Sequence, residues 1–581
     1  MMHITPNRIA LVLSCFCLVL VGCERKPAAP SAADVPAILS SEESILRFIP
    51  ADSPYVLVNP EPIDDELLAK MTGDAFQFSA GYESAMRDAL KRDADAYPED
   101  SAEREQAERA ADVMASMLRL ISLDGMRDAG FDINGSVAVY GHGLLPVVRA
   151  ELLDGDAFEA AVSAIEQDAD HELDTAELDG VRYRFLEDDG TRIMFGAFGD
   201  YVVLSVAPSS FTDAELRQLV GLDLPKTSLA ASGKLGQIAG EYGYTSHYIG
   251  FVDTQRIAAT LVEGGGELDA ALFMNVDFDH SSLSEVCREE IREFAGIAPR
   301  MVFGYRKIAK DGIDGGMTIE LREDIAAGLM TLPAIVPGLG IDPGAFFSLG
   351  VGIDLMAARK FYEARLDAMA KDPYACEYFA ELEANAARGR EALTQPVPPV
   401  VYGFRGVVAV FDDFDLSALQ SDRMTEQDAG LLVAIEDAPG LVLTASMFSP
   451  ELAALDIQPD GQPVELDLPV MTSRGDPPYL AMTDDSLVLA TGTDSGRRIE
   501  QMLVADSKEP APIFSAAGDA GQYYNMVGEA MSESDSQISP ETSESIRASM
   551  AALADVYDRM QLDVQLTQRG VEIDVGMTFK D

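Results

Sequence analysis

The chain contains no tryptophan, and only five histidines occur among its 581 residues. The missing tryptophan argues against a carbohydrate-binding platform, which commonly stacks sugars on indole rings. Beyond residue 22 the histidines are His142, His171, His247 and His280, and no two have the spacing of a helical zinc pair. The sequence also lacks a Gly-x-Ser-x-Gly turn, a Walker loop and a strand followed by Gly-x-Gly-x-x-Gly. No recognisable catalytic signature is therefore present.

Positive charge is scarce as well. The chain has 43 basic residues against 98 acidic ones, a net charge of −55, and only 11 of the basic residues are lysine. Such a surface repels nucleic acid and anionic lipid headgroups. We therefore expect no nucleic-acid partner. The acidic surface suits either a salty habitat, where ions screen its self-repulsion, or an envelope rich in divalent cations.

Acidic clusters are common in so acidic a chain, and one follows an apolar strand pattern at residues 410–415. Its Asp412, Asp413 and Asp415 are candidate calcium ligands, because calcium accepts several oxygens in irregular geometry. The stretch lacks the glycine and the closing glutamate of a twelve-residue calcium loop, so we predict neither a metal site nor a cofactor. A hydrolase built on these carboxylates, or on His142 in its Gly-His-Gly turn, is the least favoured alternative.

The N-terminus has a short polar start, an apolar run from Ile9 to Val21 and a cysteine at position 23. The run has the length of a signal-peptide core and is too short to span a membrane comfortably. Leu20-Val21-Gly22-Cys23 resembles the lipobox of bacterial lipoproteins. The resemblance implies that residues 1–22 are a signal peptide and that Cys23 is acylated and becomes the first residue of the mature protein. Residue 24 is Glu rather than Asp, which by the same resemblance favours the outer membrane.

Residues 23–42 combine prolines and small side chains with few large apolar ones, so we predict a flexible tether. The resemblance then places the body in the periplasm, held to the lipid bilayer through Cys23. Cys15 and Cys17 leave with the signal peptide, which leaves Cys287 and Cys376. In an oxidising compartment these two can form a disulfide, and two buried free thiols are the alternative.

Several segments recur in the same order along the chain. GSVAVY at 135–140 returns as GVVAVF at 406–411, and residues 195–210 return at 479–494. Arg300-Met301 returns as Arg559-Met560, GMTIEL at 316–321 returns as GMTFKD at 576–581, and a weaker pair joins 54–63 with 346–355. This collinearity predicts an internal duplication. The alternative is that both halves merely use common strand–turn–strand patterns.

The predicted fold class is α+β, with two related lobes of antiparallel strands and helices packed on one face. The first lobe covers residues 43–331, with a helical insertion at 73–123, and the second covers 345–581. A Pro- and Gly-rich linker at 332–344 separates them. Hairpins are expected at 310–316 and 568–572, and a capping box is expected at Thr212 and Glu215.

These observations favour a non-enzymatic component over an enzyme. The leading hypothesis is an envelope lipoprotein that acts as a binding, scaffold or envelope-assembly component. Its partner is an unknown envelope protein or ligand. The alternative is a carrier or chaperone for an apolar ligand. It predicts a continuous apolar cavity beneath a helical lid.

Overall fold

A computed structural model describes residues 36–72, 97–98, 101, 104, 123–168, 172–188, 190–275, 279–412, 428–466, 477–534 and 540–580. Nineteen strands of these residues belong to one sheet. They are β1 Tyr55–Asn59, β2 Val137–His142, β3 Leu145–Glu151, β4 Asp174–Leu178, β5 Val181–Asp188, β6 Thr191–Phe198, β7 Tyr201–Pro208, β8 Ile249–Asp253, β9 Arg300–Ala309, β10 Gly312–Glu320, β11 Phe347–Gly352, β12 Phe404–Phe411, β13 Ala429–Ile435, β14 Val464–Glu465, β15 Tyr479–Met482, β16 Ser486–Thr491, β17 Phe514–Asp519, β18 Tyr557–Leu566 and β19 Gly570–Phe579.

Helices connect these strands. They are α1 Asp65–Thr72, α2 Leu123–Asp128, α3 Gly155–Asp168, α4 Asp213–Leu219, α5 Leu229–Ser232, α6 Lys234–Tyr242, α7 Thr254–Glu263, α8 Glu267–Asn275, α9 Glu285–Ala295, α10 Glu323–Leu329, α11 Leu355–Lys371, α12 Ala380–Leu393, α13 Pro399–Tyr402, α14 Ala438–Ser446, α15 Pro450–Ala453, α16 Ser495–Leu503, α17 Ala520–Ser534 and α18 Pro540–Val556. Short 3₁₀ helices occur at Ala37–Ser40, Ile45–Phe48, His280–Ser282 and Glu377–Phe379. Among the described residues, no helix combines the length and the apolar character needed to cross a membrane.

Every pairing in the sheet is antiparallel, and the sheet is open. From one edge to the other the strand order is β4-β5-β6-β7-β3-β2-β1-β8-β9-β10-β19-β18-β17-β11-β12-β13-β16-β15-β14. The predicted α+β class with antiparallel strands is therefore confirmed. The N-terminal and C-terminal halves of the chain meet at the pairing of β10 with β19, which joins Gly312 to Thr578 at one end and Glu320 to Gly570 at the other.

Helices pack on both faces of the sheet rather than on one. Val202 and Val203 are neighbours in β7, so their side chains point to opposite faces. Val203 belongs to a buried cluster with Leu235 and Ile238 of α6. Val202 belongs to another buried cluster with Phe158 of α3. The prediction of a single helix-covered face is wrong because the β7 strand is apolar on both sides, so both sides need cover.

Local signals in the sequence agree well with the structure. The hairpins form at the expected places, between β9 and β10 and between β18 and β19. The capping box is present: the Thr212 side chain accepts from the Glu215 backbone N–H, and the Glu215 carboxylate accepts from the Thr212 backbone N–H. The predicted helical insertion at 73–123 lies outside the described residues except for a few isolated positions. Residues 332–344 contain neither helix nor strand.

The predicted tether needs correction. It reaches residue 42 in the prediction, but residues 37–40 form a helical turn and the side chain of Leu39 is fully buried in the main core. One leucine among small residues is enough to hold this stretch against the core, because burying its side chain removes apolar surface from water. The composition alone does not reveal that contact. Cys376 directly precedes the short helix Glu377–Phe379.

Ionic contacts cross the join between the two halves of the chain. Arg306 on β9 donates to the Asp574 carboxylate on β19 across 2.5 Å, and both side chains are largely buried. Asp574 lies directly opposite Asp563 of β18, whose fully buried carboxylate is paired with Lys508 at 2.5 Å. Two carboxylates facing each other across a strand pair repel, so each needs its own cation.

Replacing Arg306 with methionine is therefore expected to lower the free energy of unfolding by about 3–5 kcal/mol, the usual cost of leaving a buried charge unpaired. Denaturant titration of the purified chain without residues 1–22 measures this free energy. The double variant Arg306→Met/Asp574→Asn is the matched control, and it should recover most of the loss because no unpaired charge remains. A loss below ~1 kcal/mol in the single variant, or no recovery in the double, contradicts this account of the join.

Candidate functional site

The candidate calcium ligands do not form an open site in the part of the chain that the structure describes. Asp412 lies at the end of β12 and forms an ion pair with Arg498 of α16. The Asp428 carboxylate accepts from the backbone N–H of Thr493 at 2.9 Å. Asp412, Asp428, Arg497 and Arg498 line a small surface pocket. Asp413 and Asp415 lie outside the described residues, as does Cys23. The described residues include no group of three His, Cys, Asp or Glu side chains arranged to hold a metal ion.

His142, the other catalytic candidate, ends β2 beside two loops. Burial lowers the pKa of its imidazole, and the carboxylates of Asp52 and Asp269 oppose that shift. Its buried Nδ1 has no hydrogen-bond partner among the described residues. Asp269 instead accepts from the backbone N–H groups of Leu144, at 2.7 Å, and Gly266, at 3.0 Å. The Asp269 carboxylate therefore holds the loops at Leu144 and Gly266 together beside the imidazole.

The two cysteines left after the predicted cleavage are joined. A disulfide connects Cys287, on α9, with Cys376, 89 residues later, and their Cα atoms lie 4.7 Å apart. The Glu290 carboxylate accepts from the backbone N–H groups of Ala375 and Cys376 at 2.8 Å each. The rings of Phe294 and Phe379 pack beside the bond, with centroids 5.2 Å apart. This cluster fastens the N-terminal half of the chain to the α11–α12 connection of the C-terminal half.

The most extensive feature is a half-buried apolar surface on one side of the sheet. We call it the second face. It is defined by side chains that alternate with the buried ones along twelve neighbouring strands. They are Val137, Val139, Tyr55, Leu57, Val252, Met301, Phe303, Met317, Ile319, Val571, Ile573, Val575, Leu562, Val564, Leu566, Phe514, Ala516, Phe347, Leu349, Val351, Val407, Ala409, Phe411, Leu431, Val433, Leu487 and Leu489.

The strand register makes the second face continuous. Phe303 lies opposite Met317, which lies opposite Ile573 across the join, and Ile573 lies opposite Val564. Gly250 completes the floor, since a Cβ there would come within 2.5 Å of the Phe303 ring. At about 4.8 Å between strands, the second face is roughly 50 Å wide.

Its composition suits an apolar binding surface. None of its defining side chains is charged, although acidic residues abound in the chain. Leu431, near one end, is 40% exposed, and the others are half-buried. Two of these pack against buried clusters that include helix residues: Leu487 with α14, and Val575 with α17 and α18. Soluble proteins rarely expose apolar patches beyond a few hundred Å², and larger ones mark sites for partners, lipids or ligands.

Sequence reasoning did not identify this surface, although a signal for it exists. Strands with one wet face alternate apolar and polar residues, whereas VVAVF at 407–411 and GLLVAI at 430–435 do not alternate. Such runs predict that both faces of a strand are apolar. They do not say which face a helix covers, because that depends on elements distant in the chain.

Comparisons with known proteins do not assign this chain to a family. No protein-family model, no curated protein and no solved structure matches this chain.

Proposed function

We propose that this chain is a lipid-anchored, non-enzymatic binding component of a bacterial cell envelope. Residues 1–22 would be removed, Cys23 would be acylated, and the body would face the periplasm, at the outer membrane. The single observation that carries the binding role is the second face, a continuous and uncharged surface on an otherwise strongly acidic protein. A scaffold or assembly factor uses such a face to hold an envelope partner.

The same face favours a second candidate, a carrier for an apolar ligand. Acyl chains need apolar area and no hydrogen-bond partners, and side chains such as Leu349, Val564 and Ile573 offer that. Protein interfaces usually add arginines and a polar rim. The identity of what purifies with the mature chain separates the two candidates: lipid found by mass spectrometry supports the carrier, and an envelope protein supports the scaffold.

Binding at the second face is testable with the neutral apolar dye Nile red. The mature chain is expected to bind the dye, and Leu349→Lys/Leu431→Lys should weaken binding several-fold, because a charge on an apolar surface must be desolvated by the bound molecule. Leu153→Lys is the matched control, since Leu153 is 74% exposed and lies outside the second face. Dye titration by fluorescence measures all three proteins. Equal affinities for the parent and the double variant contradict the proposal.

We further propose that the halves arose by duplication. The five recurring sequence segments fall on β1 and β11, β2 and β12, β6–β7 and β15–β16, β9 and β18, and β10 and β19. Both halves pair these strands in the same order, with β1 between β2 and β8 and β11 between β12 and β17. Gly315 pairs with Val575, its own counterpart by the GMT match, which suits two copies related by a pseudo-twofold axis.

A further inference from the structure

One exposed apolar feature lies where a helix packs against the end of the second face, beside Leu487. Helix α14 and the turn after it present Leu443, Met447 and Phe448, which are 70%, 79% and 85% exposed. We call these three side chains the apolar tip. Leu443 and Met447 are one helical turn apart, so they project from the same side of α14. Leu441 and Val442 on the same helix pack into a buried cluster, so α14 is held to the body while its tip stays outside.

The surroundings of the apolar tip suit an apolar medium. Residues 438–449 contain no charged side chain, in a chain with 98 acidic residues. The hydroxyl of Thr444 donates to the backbone carbonyl of Gly440 at 2.8 Å, and that of Ser446 donates to Val442 at 2.8 Å. Polar side chains whose hydroxyls already donate to carbonyls within the helix lose little when water is removed.

The corresponding helix in the other half of the chain is different. Helix α3 follows β3 as α14 follows β13, but it carries Asp156, Glu159, Glu166 and Asp168. A helix with acidic residues can therefore pack on the sheet at this place. Packing against the sheet does not by itself require that α14 be uncharged.

We propose that the apolar tip inserts into the headgroup region of a lipid bilayer. This inference rests on the proposed anchor, which would keep the body close to the bilayer. Only twelve residues separate Cys23 from Pro36, where the described structure begins. The chain between them therefore reaches at most roughly 47 Å. An acylated Cys23 would hold the body at the membrane. The net charge of −55 would repel anionic headgroups, and an uncharged tip is the kind of surface that approaches them.

The size of the apolar tip favours a bilayer over a second copy of the chain. Three side chains bury at most roughly 600 Å², less than the ~800 Å² that each partner of a stable complex contributes. Interfacial insertion needs only a few large apolar side chains, because the headgroup region accepts them without a matching surface.

Vesicle flotation tests this inference with the full mature chain carrying Cys23→Ser, so that no acyl group contributes. This protein is expected to float with phosphatidylcholine vesicles, and less so when phosphatidylglycerol is added at low salt. Leu443→Ser/Met447→Ser/Phe448→Ser should weaken partition by roughly tenfold or more. Val504→Ser is the matched control, because Val504 is 79% exposed outside the tip. Phe448→Ala alone should weaken partition in the same direction, and it serves if the triple variant does not fold.

Equal flotation of parent and tip variants overturns the inference, as does a parent that does not float. A tip variant that changes only the oligomeric state would assign the surface to a second copy and overturn it equally. The proposed lipid anchor is tested separately, by measuring whether Cys23 of the unaltered chain is acylated in cells. If the Cys23→Ser protein floats, and Cys23 of the unaltered chain is found unacylated in cells, this inference stands and the proposed anchor is refuted.

Discussion

Replacing Cys23 with alanine is expected to move the protein from the membrane fraction to the soluble fraction of the cell. Each methylene of an acyl chain buried in a bilayer contributes about 0.8 kcal/mol, so two chains of ordinary length contribute well over ~10 kcal/mol. One chain gives only reversible binding, and the apolar tip has three side chains. We therefore expect the acyl groups to dominate membrane attachment and their loss to be nearly all-or-none.

Metabolic labelling with a radioactive fatty acid measures the cause, and cell fractionation measures the consequence. The parent should carry label and the Cys23→Ala variant should not. Glu24→Asp is a useful control, because it should keep the label while changing which membrane retains the protein. Label that persists in the alanine variant, or a parent without label, refutes the lipid anchor and with it the proposed location in the cell envelope.

The second large effect is expected at the disulfide. Breaking it with Cys287→Ser/Cys376→Ser should lower the free energy of unfolding by about 4–5 kcal/mol. The bond closes a loop of 89 residues, and the chain-entropy model assigns that much to restricting the unfolded chain. The variant also removes the disulfide that joins α9 to the α11–α12 connection, so we expect these two segments to loosen together.

Denaturant titration with and without a thiol reductant provides the control. Reductant should lower the unfolding midpoint of the parent to that of the variant and leave the variant unchanged. Each single serine variant should behave like the double, because either one removes the bond. If the parent and the double variant unfold at the same midpoint, the bond does not stabilise the fold.

The site illustrates how far local patterns carry. The pairing of Cys287 with Cys376 was one of two open alternatives, because cysteine spacing says nothing about distance in a fold. The acidic run at Asp412 suggested a metal ligand, but Arg498 comes from a helix 86 residues later and occupies that carboxylate. Beside His142, the Asp269 carboxylate accepts from the backbone N–H groups of Leu144 and Gly266. In the first two cases a residue distant in the sequence decided which partner the side chain has.

The amino-acid sequence by itself determined the local elements: the hairpins β9–β10 and β18–β19, the capped helix α4, and the α+β class. Each depends on residues a few positions apart, where turn preference, helix capping and side-chain periodicity act within one short segment. Only the tertiary structure decided that β1 lies between β2 and β8, that β10 pairs with β19 about 260 residues away, and that one face of the sheet keeps its apolar side chains half-buried. Long-range pairing depends on which strand edges and apolar faces remain uncovered after the local elements form. That is a property of the whole assembled chain and of no single segment.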